Sequence, residues 1–233
     1  MDYGYHDDCR WRLFRGGIMT TNLIFVGGGA FARELLEWVI DAGIPLDTTL
    51  KGYLDISAPD YPVTIDLPCI GNAQDYPPRE NDLFLCALLE PREKLVVCRG
   101  IRERGGVFRG FPFSYSGRPR RNIIGEGCIL SPKIELTSDV VLNEFVTVRS
   151  FTSIGHDVKV GAGSTTSTHC DIAGYVRIGE GVLLQPNVVV LPHLHVGDYA
   201  RVGAGSVVVR NVAPGTSVWG VPAKKVDTSL EAV

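Results

Sequence analysis

Through residues 124–208 every sixth position is aliphatic, with one exception and no insertion: Ile124, Leu130, Leu136, Leu142, Val148, Ile154, Val160, Thr166, Ile172, Ile178, Leu184, Val190, Val196, Val202 and Val208. In a chain that is 45% hydrophobic, chance gives such a run roughly once in ten thousand. A period of six belongs neither to an amphipathic helix, at about 3.6, nor to a lone strand, at about 2. It belongs to a parallel β-helix of short strands joined by tight corners. Three hexads close one triangular coil, so the run predicts about five coils and, at about 4.8 Å per stacked strand, a prism roughly 24 Å tall. The residue after the aliphatic one is often glycine (Gly125, Gly155, Gly161, Gly179, Gly197, Gly203). That predicts a corner with positive φ at this place. Four places along, small or β-branched residues such as Cys128, Val158, Ser164, Cys170 and Ala200 are expected to fill the narrow interior.

Ahead of the repeat the pattern changes. Residues 22–55 read as strand, glycine turn, helix and strand: NLIFV, then Gly27-Gly28-Gly29, then Leu35, Leu36, Val39 and Ile40, then KGYLD. The spacing Gly27-x-Gly29-x-x-Ala32 is that of a phosphate turn, where glycines let backbone N–H groups approach a pyrophosphate at a helix N-terminus. Asp55, closing the second strand, is placed to take a ribose hydroxyl. A tight strand-to-helix turn with no ligand explains the same glycines equally well. Residues 59–78 are Pro-rich and read as irregular. Residues 83–89 read as a buried strand, 91–105 as a helix with Pro at its first turn and Gly at its end, and 107–113 as a last short strand.

At 233 residues two domains are expected. Residues 22–113 are expected to form a half-Rossmann domain for one nucleotide, 114–122 a linker, 123–213 the β-helix, and 214–233 a tail that covers the last coil against edge pairing. Residues 1–21 are set aside as a flexible extension, with Met19 a candidate alternative start. Net charge is −3 and the pI is near 6.0, with no basic cluster of the kind that binds nucleic acid. No apolar run approaches a membrane span. The six cysteines show no CxxC pair and several fall in apolar patterns, which suits reduced, buried thiols in the cytoplasm. The first residues lack the apolar stretch of a secretion signal.

Three stretches together carry a resemblance covering about residues 22–226: GGGAFARELLEW in the first domain, Ser153-Ile154-Gly155-His156-Asp157 in the repeat, and Gly220-Val221-Pro222-Ala223-Lys224 in the tail. The chain resembles the hexapeptide-repeat nucleotide-sugar acetyltransferases of bacteria, a group with bacillosamine-pathway and perosamine N-acetyltransferases and sialic-acid O-acetyltransferase-like proteins. The resemblance implies a left-handed β-helix, a homotrimer, acetyl-CoA as co-substrate, a nucleotide-sugar acceptor and no metal. It assigns the general base to His156, the residue that orients it to Asp157, and an oxyanion-stabilising N–H to Gly174, eighteen residues above His156. An imidazole suits that role because it titrates near neutrality and can take the proton of an attacking amine. Asp157 reaches the ring only where the corner breaks strand alternation. By analogy Thr165, Pro186, Ala204, Pro222 and Lys224 line the acetyl-CoA groove between neighbouring copies. Gly27, Gly29, Ala30, Phe31, Asp55 and Arg149 become candidates for the nucleotide sugar.

The chain also departs from its relatives. Thr165 stands where the bacillosamine-pathway enzyme has a second His, Arg149 where it has Asn, Phe31 where it has His, and Leu89-Glu90-Pro91 where Gly-Asp-Pro is usual. These changes fall on the acceptor side more than on the acetyl-transfer core. Two other readings compete with amine acetylation: O-acetylation of a sialic acid or other sugar hydroxyl, and a non-catalytic scaffold. A zinc site of the β-helix carbonic anhydrase kind would use His169, His193 and His195. His193 and His195 lack the H-x4-H spacing of that class, and His169 and His193 are not a whole number of coils apart, which disfavours zinc.

Overall fold

The computed structural model describes residues 20–44, 47–56, 65–112 and 121–226. The expected extension, apart from its last two residues, most of the expected linker and the end of the tail lie outside them. The first unit runs β1 (Thr21–Val26), α1 (Ala30–Asp41), β2 (Thr48–Asp55), β3 (Cys69–Asn72), β4 (Asp82–Cys86), α2 (Pro91–Glu103) and β5 (Val107–Phe108). Its five strands pair parallel in the order β3-β2-β1-β4-β5. Helix α1 buries Phe31, Ala32, Leu35, Leu36 and Val39, a single stripe at helical spacing that lies on the sheet. Pro91 opens α2, where its missing N–H removes no intrahelical bond.

Three expectations need correction here, the first being the strand over 107–113, which is only Val107–Phe108, with Phe111 making an isolated bridge to Ile129. The stretch 59–78 is not all irregular, because β3 lies within it. Its side chains alternate between exposed and half-buried, so this edge strand carries no apolar signal. β4 ends at Cys86, and the last residues of the expected strand, Ala87 to Leu89, form the turn into α2.

The second unit is a triangular parallel β-helix. Strands β6 to β20 are fifteen two-residue pieces, six residues apart, from Ile123–Ile124 to Val207–Val208. The first face stacks Ile129–Leu130, Thr147–Val148, Thr165–Thr166, Leu183–Leu184 and Arg201–Val202. The second stacks Glu135–Leu136, Ser153–Ile154, Asp171–Ile172, Val189–Val190 and Val207–Val208. The third stacks Ile123–Ile124, Val141–Leu142, Lys159–Val160, Arg177–Ile178 and His195–Val196. The second residue of each pair points inward, and with the small corner residues these side chains make one core. Each inward Val, Ile or Leu contributes about 1.5–3 kcal/mol of burial.

The role expected of the corner glycines is overturned. Positive φ falls two residues later, at Lys133, Asp139, Phe145, Phe151, Asp157, His169, Tyr175, Asn187, His193 and Tyr199, with φ from 57° to 63°. Crowding is what demands glycine after the aliphatic residue. A Cβ on Gly161 would lie 2.4 Å from the Gly179 carbonyl carbon, and one on Gly155 2.7 Å from the Gly174 nitrogen. After the last coil, β21 (Ser217–Trp219) adds a parallel strand beside Arg201–Val202, and β22 (Lys224–Lys225) turns back antiparallel on it.

Helix α2 docks the first unit on the first face. Leu95, Cys98, Ile101 and Phe108 share a core with Phe145 and Ala162 of the β-helix. Phe111 and Ile129 join the other side of the small domain's core. Lys94, fully buried, donates to the hydroxyls of Thr147 (3.0 Å) and Thr165 (2.8 Å), and Thr165 donates to the Leu89 carbonyl (2.8 Å). Arg99 bonds Glu180 at 2.7 Å and reaches Glu144 at 3.4 Å.

Burial pushes the Lys94 amine below the ordinary lysine value of 10.5. Between that lowered value and 10.5 the unfolded chain binds a proton that the folded chain does not, so this residue makes stability climb as pH rises through the window. Lys94→Met is expected to flatten the climb, which urea midpoints taken at stepped alkaline pH on both proteins will check.

Candidate functional site

The edge between the second and third faces carries His156. Gly155 and the left-handed residue Asp157 (φ 61°) flank it, and the positive φ breaks the alternation that would turn neighbouring side chains apart. Asp157 Oδ2 therefore lies 2.9 Å from His156 Nδ1. A carboxylate only accepts, so Nδ1 carries the hydrogen and Nε2 presents its lone pair. One coil up, Gly174 leaves room for the ring, since a Cβ there would stand 2.8 Å from Nε2 and 2.9 Å from Cε1. Among the described residues no hydrogen bond uses the Gly174 N–H, as at the same place in most corners. The His156 side chain is about half exposed, at 54%. The arrangement is an oriented, solvent-reachable imidazole beside a free backbone donor, the parts that proton removal from a nucleophile and oxyanion stabilisation require.

Tyr175 and His193 complete this edge, and sequence reasoning passed over the first and considered the second only as a zinc ligand. Both occupy the left-handed position above Asp157, one and two coils up. The Tyr175 ring meets the His156 ring edge-on at 4.9 Å and 88°, and stacks on His193 at 4.8 Å and 7°. Adding eighteen to Asp157 would have found them. His169 instead stacks on Phe151 at a different edge. Among the described residues no group of His, Cys, Asp or Glu is arranged to hold a metal ion.

The second candidate region is the crevice beyond the carboxyl ends of β1 and β4, where the strand order reverses, the usual ligand position of an open parallel sheet. Gly27 has φ 96°, and a Cβ there would strike Leu88 at 2.7 Å; one on Gly28 would strike the Tyr53 ring at 2.7 Å. Gly29 faces open space and opens α1 with no side-chain cap and no acidic residue in the first turn. This helix end keeps its unpaired N–H groups and positive dipole available to an anion. Ala30 is exposed, whereas Phe31 is buried against Trp38. Asp55 Oδ1 accepts from the Ile56 N–H at 2.7 Å.

Arg149 reaches this region from the β-helix. Its guanidinium bonds Glu34 at 2.7 Å and lies 4.8 Å over the Phe31 ring. Above it Arg201, another residue that sequence reasoning missed, pairs with Glu90 at the start of α2. Among the described residues these pairs leave three buried polar atoms without a hydrogen-bond partner, Arg149 Nη1 in one, Arg201 Nη1 and Glu90 Oε2 in the other. Buried polar atoms of this kind are seldom left unsatisfied.

The expected cofactor residues fall in three places. Thr165 is buried under α2 with its hydroxyl engaged by Lys94 and the Leu89 carbonyl, so its side chain is not retained as a cofactor contact. Pro186 and Ala204 stack one coil apart on the edge between the first and second faces, near the top. The Ala204 carbonyl accepts from Trp219 Nε1 at 2.9 Å. Pro222 follows a cis peptide and Lys224 is exposed in the cap. Within one chain these residues and His156 occupy different edges of the prism.

The model of the bacterial transferase hexapeptide (six repeats) matches residues 175–210. No curated protein matches the sequence. Among solved structures the chain is similar to PerB from Caulobacter crescentus in complex with CoA and GDP-perosamine, with 22% identity, 88% of this chain and 97% of that one covered, and a TM-score of 0.77. It is similar to the acetyltransferase domain of PglB from Neisseria gonorrhoeae in complex with acetyl coenzyme A, with 22% identity, 89% and 100% covered, and a TM-score of 0.76. It is also similar to WeeI from Acinetobacter baumannii, with 19% identity, 89% and 100% covered, and a TM-score of 0.65. These likenesses extend over both units and establish a shared fold.

Gly174→Ala is expected to push the imidazole off Asp157 while leaving the coil folded. A shift of the His156 ring resonances with an unchanged melting temperature is the predicted signature.

Proposed function

We propose that the chain is a cytoplasmic homotrimeric acetyltransferase that moves the acetyl group of acetyl-CoA to the amine of a nucleotide-linked amino sugar, for surface glycan synthesis. The observation that carries this reading is the His156 imidazole, its Nδ1 tied to Asp157 at 2.9 Å and its Nε2 edge set against Gly174. The ligands of the similar structures support it, CoA with GDP-perosamine in PerB and acetyl coenzyme A in the PglB domain.

In this mechanism the acceptor nitrogen attacks the thioester carbonyl carbon directly. His156 Nε2 takes the amine proton as the C–N bond forms, and Asp157 stabilises the resulting imidazolium. The Gly174 N–H donates to the oxyanion, the C–S bond then breaks, and the proton passes to the departing CoA sulfur. No acyl-enzyme forms. General-base assistance of this kind is worth about 10² to 10⁴ in rate.

The first unit serves as a half-Rossmann site for the nucleotide sugar. Its strand order and the uncapped start of α1 support this, with Gly27, Gly29 and Ala30 approaching phosphate, Asp55 the ribose, and Arg149 beside Phe31 bounding the pocket. The co-substrate lies between left-handed β-helices of neighbouring copies, lined by Pro186, Ala204, Pro222 and Lys224. Exposed apolar side chains around the second face, Phe151, Leu191 and Val209, support a covering copy there.

His156→Ala should abolish CoA thiol release while acetyl-CoA still binds, measured over a panel of UDP-, GDP- and dTDP-amino sugars; retained turnover removes the base assignment. Sedimentation at the monomer mass of 25.3 kDa would remove the trimer.

A further inference from the structure

We propose that Tyr175 is a positioning residue for the His156 imidazole, a wall that holds the ring in its working plane and is itself held by His193. This inference rests on His156 acting as the base. Its support is geometric. A single hydrogen bond from Nδ1 to Asp157 fixes one ring atom and leaves the imidazole free to tilt about that contact, and the side chain is about half exposed. Tyr175 supplies the missing constraint. Its ring stands at 88° to the imidazole with centroids 4.9 Å apart, the edge-to-face arrangement that aromatic rings prefer. The two residues are also chained through the backbone, because the Tyr175 N–H donates to the His156 carbonyl at 2.9 Å.

Nothing in the local backbone asks for tyrosine. The residue has φ 62°, a conformation that Asn, Asp or Gly adopts more readily than an aromatic residue. Among other aromatic residues in left-handed positions, Phe145 packs on Phe108 and Tyr199 takes Arg92 over its ring, while the exposed Phe151 stacks on His169 one coil above at 4.8 Å and 10°; only Tyr175 sets its ring edge-on against the His156 imidazole. Tyr175 lies on an edge that the small domain does not cover, is 48% exposed, and makes its ring contacts with His156 and His193. An exposed tyrosine ordinarily changes rotamer freely. The parallel stack on His193, at 7° and 4.8 Å, restrains it, so the column Asp157, Tyr175, His193 works as a brace along the edge that carries the base.

The test uses Tyr175→Asn, which suits the left-handed corner, with Tyr175→Phe and His193→Asn beside it. Tyr175→Asn is expected to lower kcat about tenfold through misorientation of the base, with KM for acetyl-CoA and the melting temperature unchanged. Tyr175→Phe should recover the rate, and His193→Asn should fall between. In parallel, the Hε1 and Hδ2 resonances of His156 should move in Tyr175→Asn and return in Tyr175→Phe, a readout independent of any acceptor. Wild-type kcat and unmoved ring resonances in Tyr175→Asn overturn the proposal, as does a Phe variant as slow as Asn. Absence of turnover in the wild type with every acceptor, or full activity of His156→Ala, counts instead against the acetyltransferase reading, and the resonances still report on the brace.

Discussion

Everything in the second unit depends on the six-residue register being kept without a slip. Strand N–H groups of successive coils in the repeat reach carbonyls seventeen residues ahead, as Ser153 to Cys170 at 2.9 Å and Gly155 to Ile172 at 2.7 Å, and left-handed corner residues reach back to the coil before, as Tyr175 to His156 at 2.9 Å. One extra residue in any hexad would turn the inward side chains out and break the ladder on three faces at once. The same rigidity converts sequence spacing into position, since residues eighteen apart stack at about 4.8 Å. His156 and Gly174 meet for that reason, and so do Asp157, Tyr175 and His193. The left-handed corners make the register costly to adopt locally, and the shared core of inward aliphatic side chains offsets that cost.

Docking of the small domain decides which parts of the prism stay open. Helix α2 lies over the first face, and its arginines bind Glu144 and Glu180 on the edge between the third and first faces. The core runs without a break from β4 and α2 into Phe145 and Ala162, so the orientation of α2 on the first face is fixed by packing rather than by a hinge. Arg149 to Glu34 and Arg201 to Glu90 tie the crevice side of that domain to the β-helix. Uncompensated buried charge is expensive, and each pair keeps its arginine from lying unpaired under the small domain.

Much of this architecture was legible from residue spacing. The period of six gave the fifteen strands and the inward positions, and even the exception, Thr166, occupies its inward place, buried and, among the described residues, with no partner for its hydroxyl. Glycine was misread because two different constraints favour it. Positive φ and close approach of the next coil both exclude a side chain, and only coordinates distinguish Gly155, which clears the Gly174 nitrogen, from Asp157, which holds the left-handed turn. The strand β3 was missed because an edge strand with exposed, half-buried alternation carries no apolar period. Lys94 was missed because a lysine in a helix ordinarily signals solvent, and only the tertiary fold buries it beneath two threonines. Arg201 and Glu90 are far apart in sequence, and a cross-domain ion pair leaves no local pattern.

The candidate site is spread over two edges of the prism, which is why the proposed chemistry calls on more than one copy. His156 lies on the edge between the second and third faces, whereas Pro186 and Ala204 lie on the edge between the first and second. The second face separates them, and through its body runs the packed core, which a flexible acyl chain cannot cross. In the proposed reading a co-substrate that touches both sets lies between two copies, with the base from one and the lining from another. The small domain already covers the first face, leaving the second and third faces for that contact. The exposed Phe151, Leu191 and Val209 border the second face, and clustered apolar groups left in water favour a covering surface.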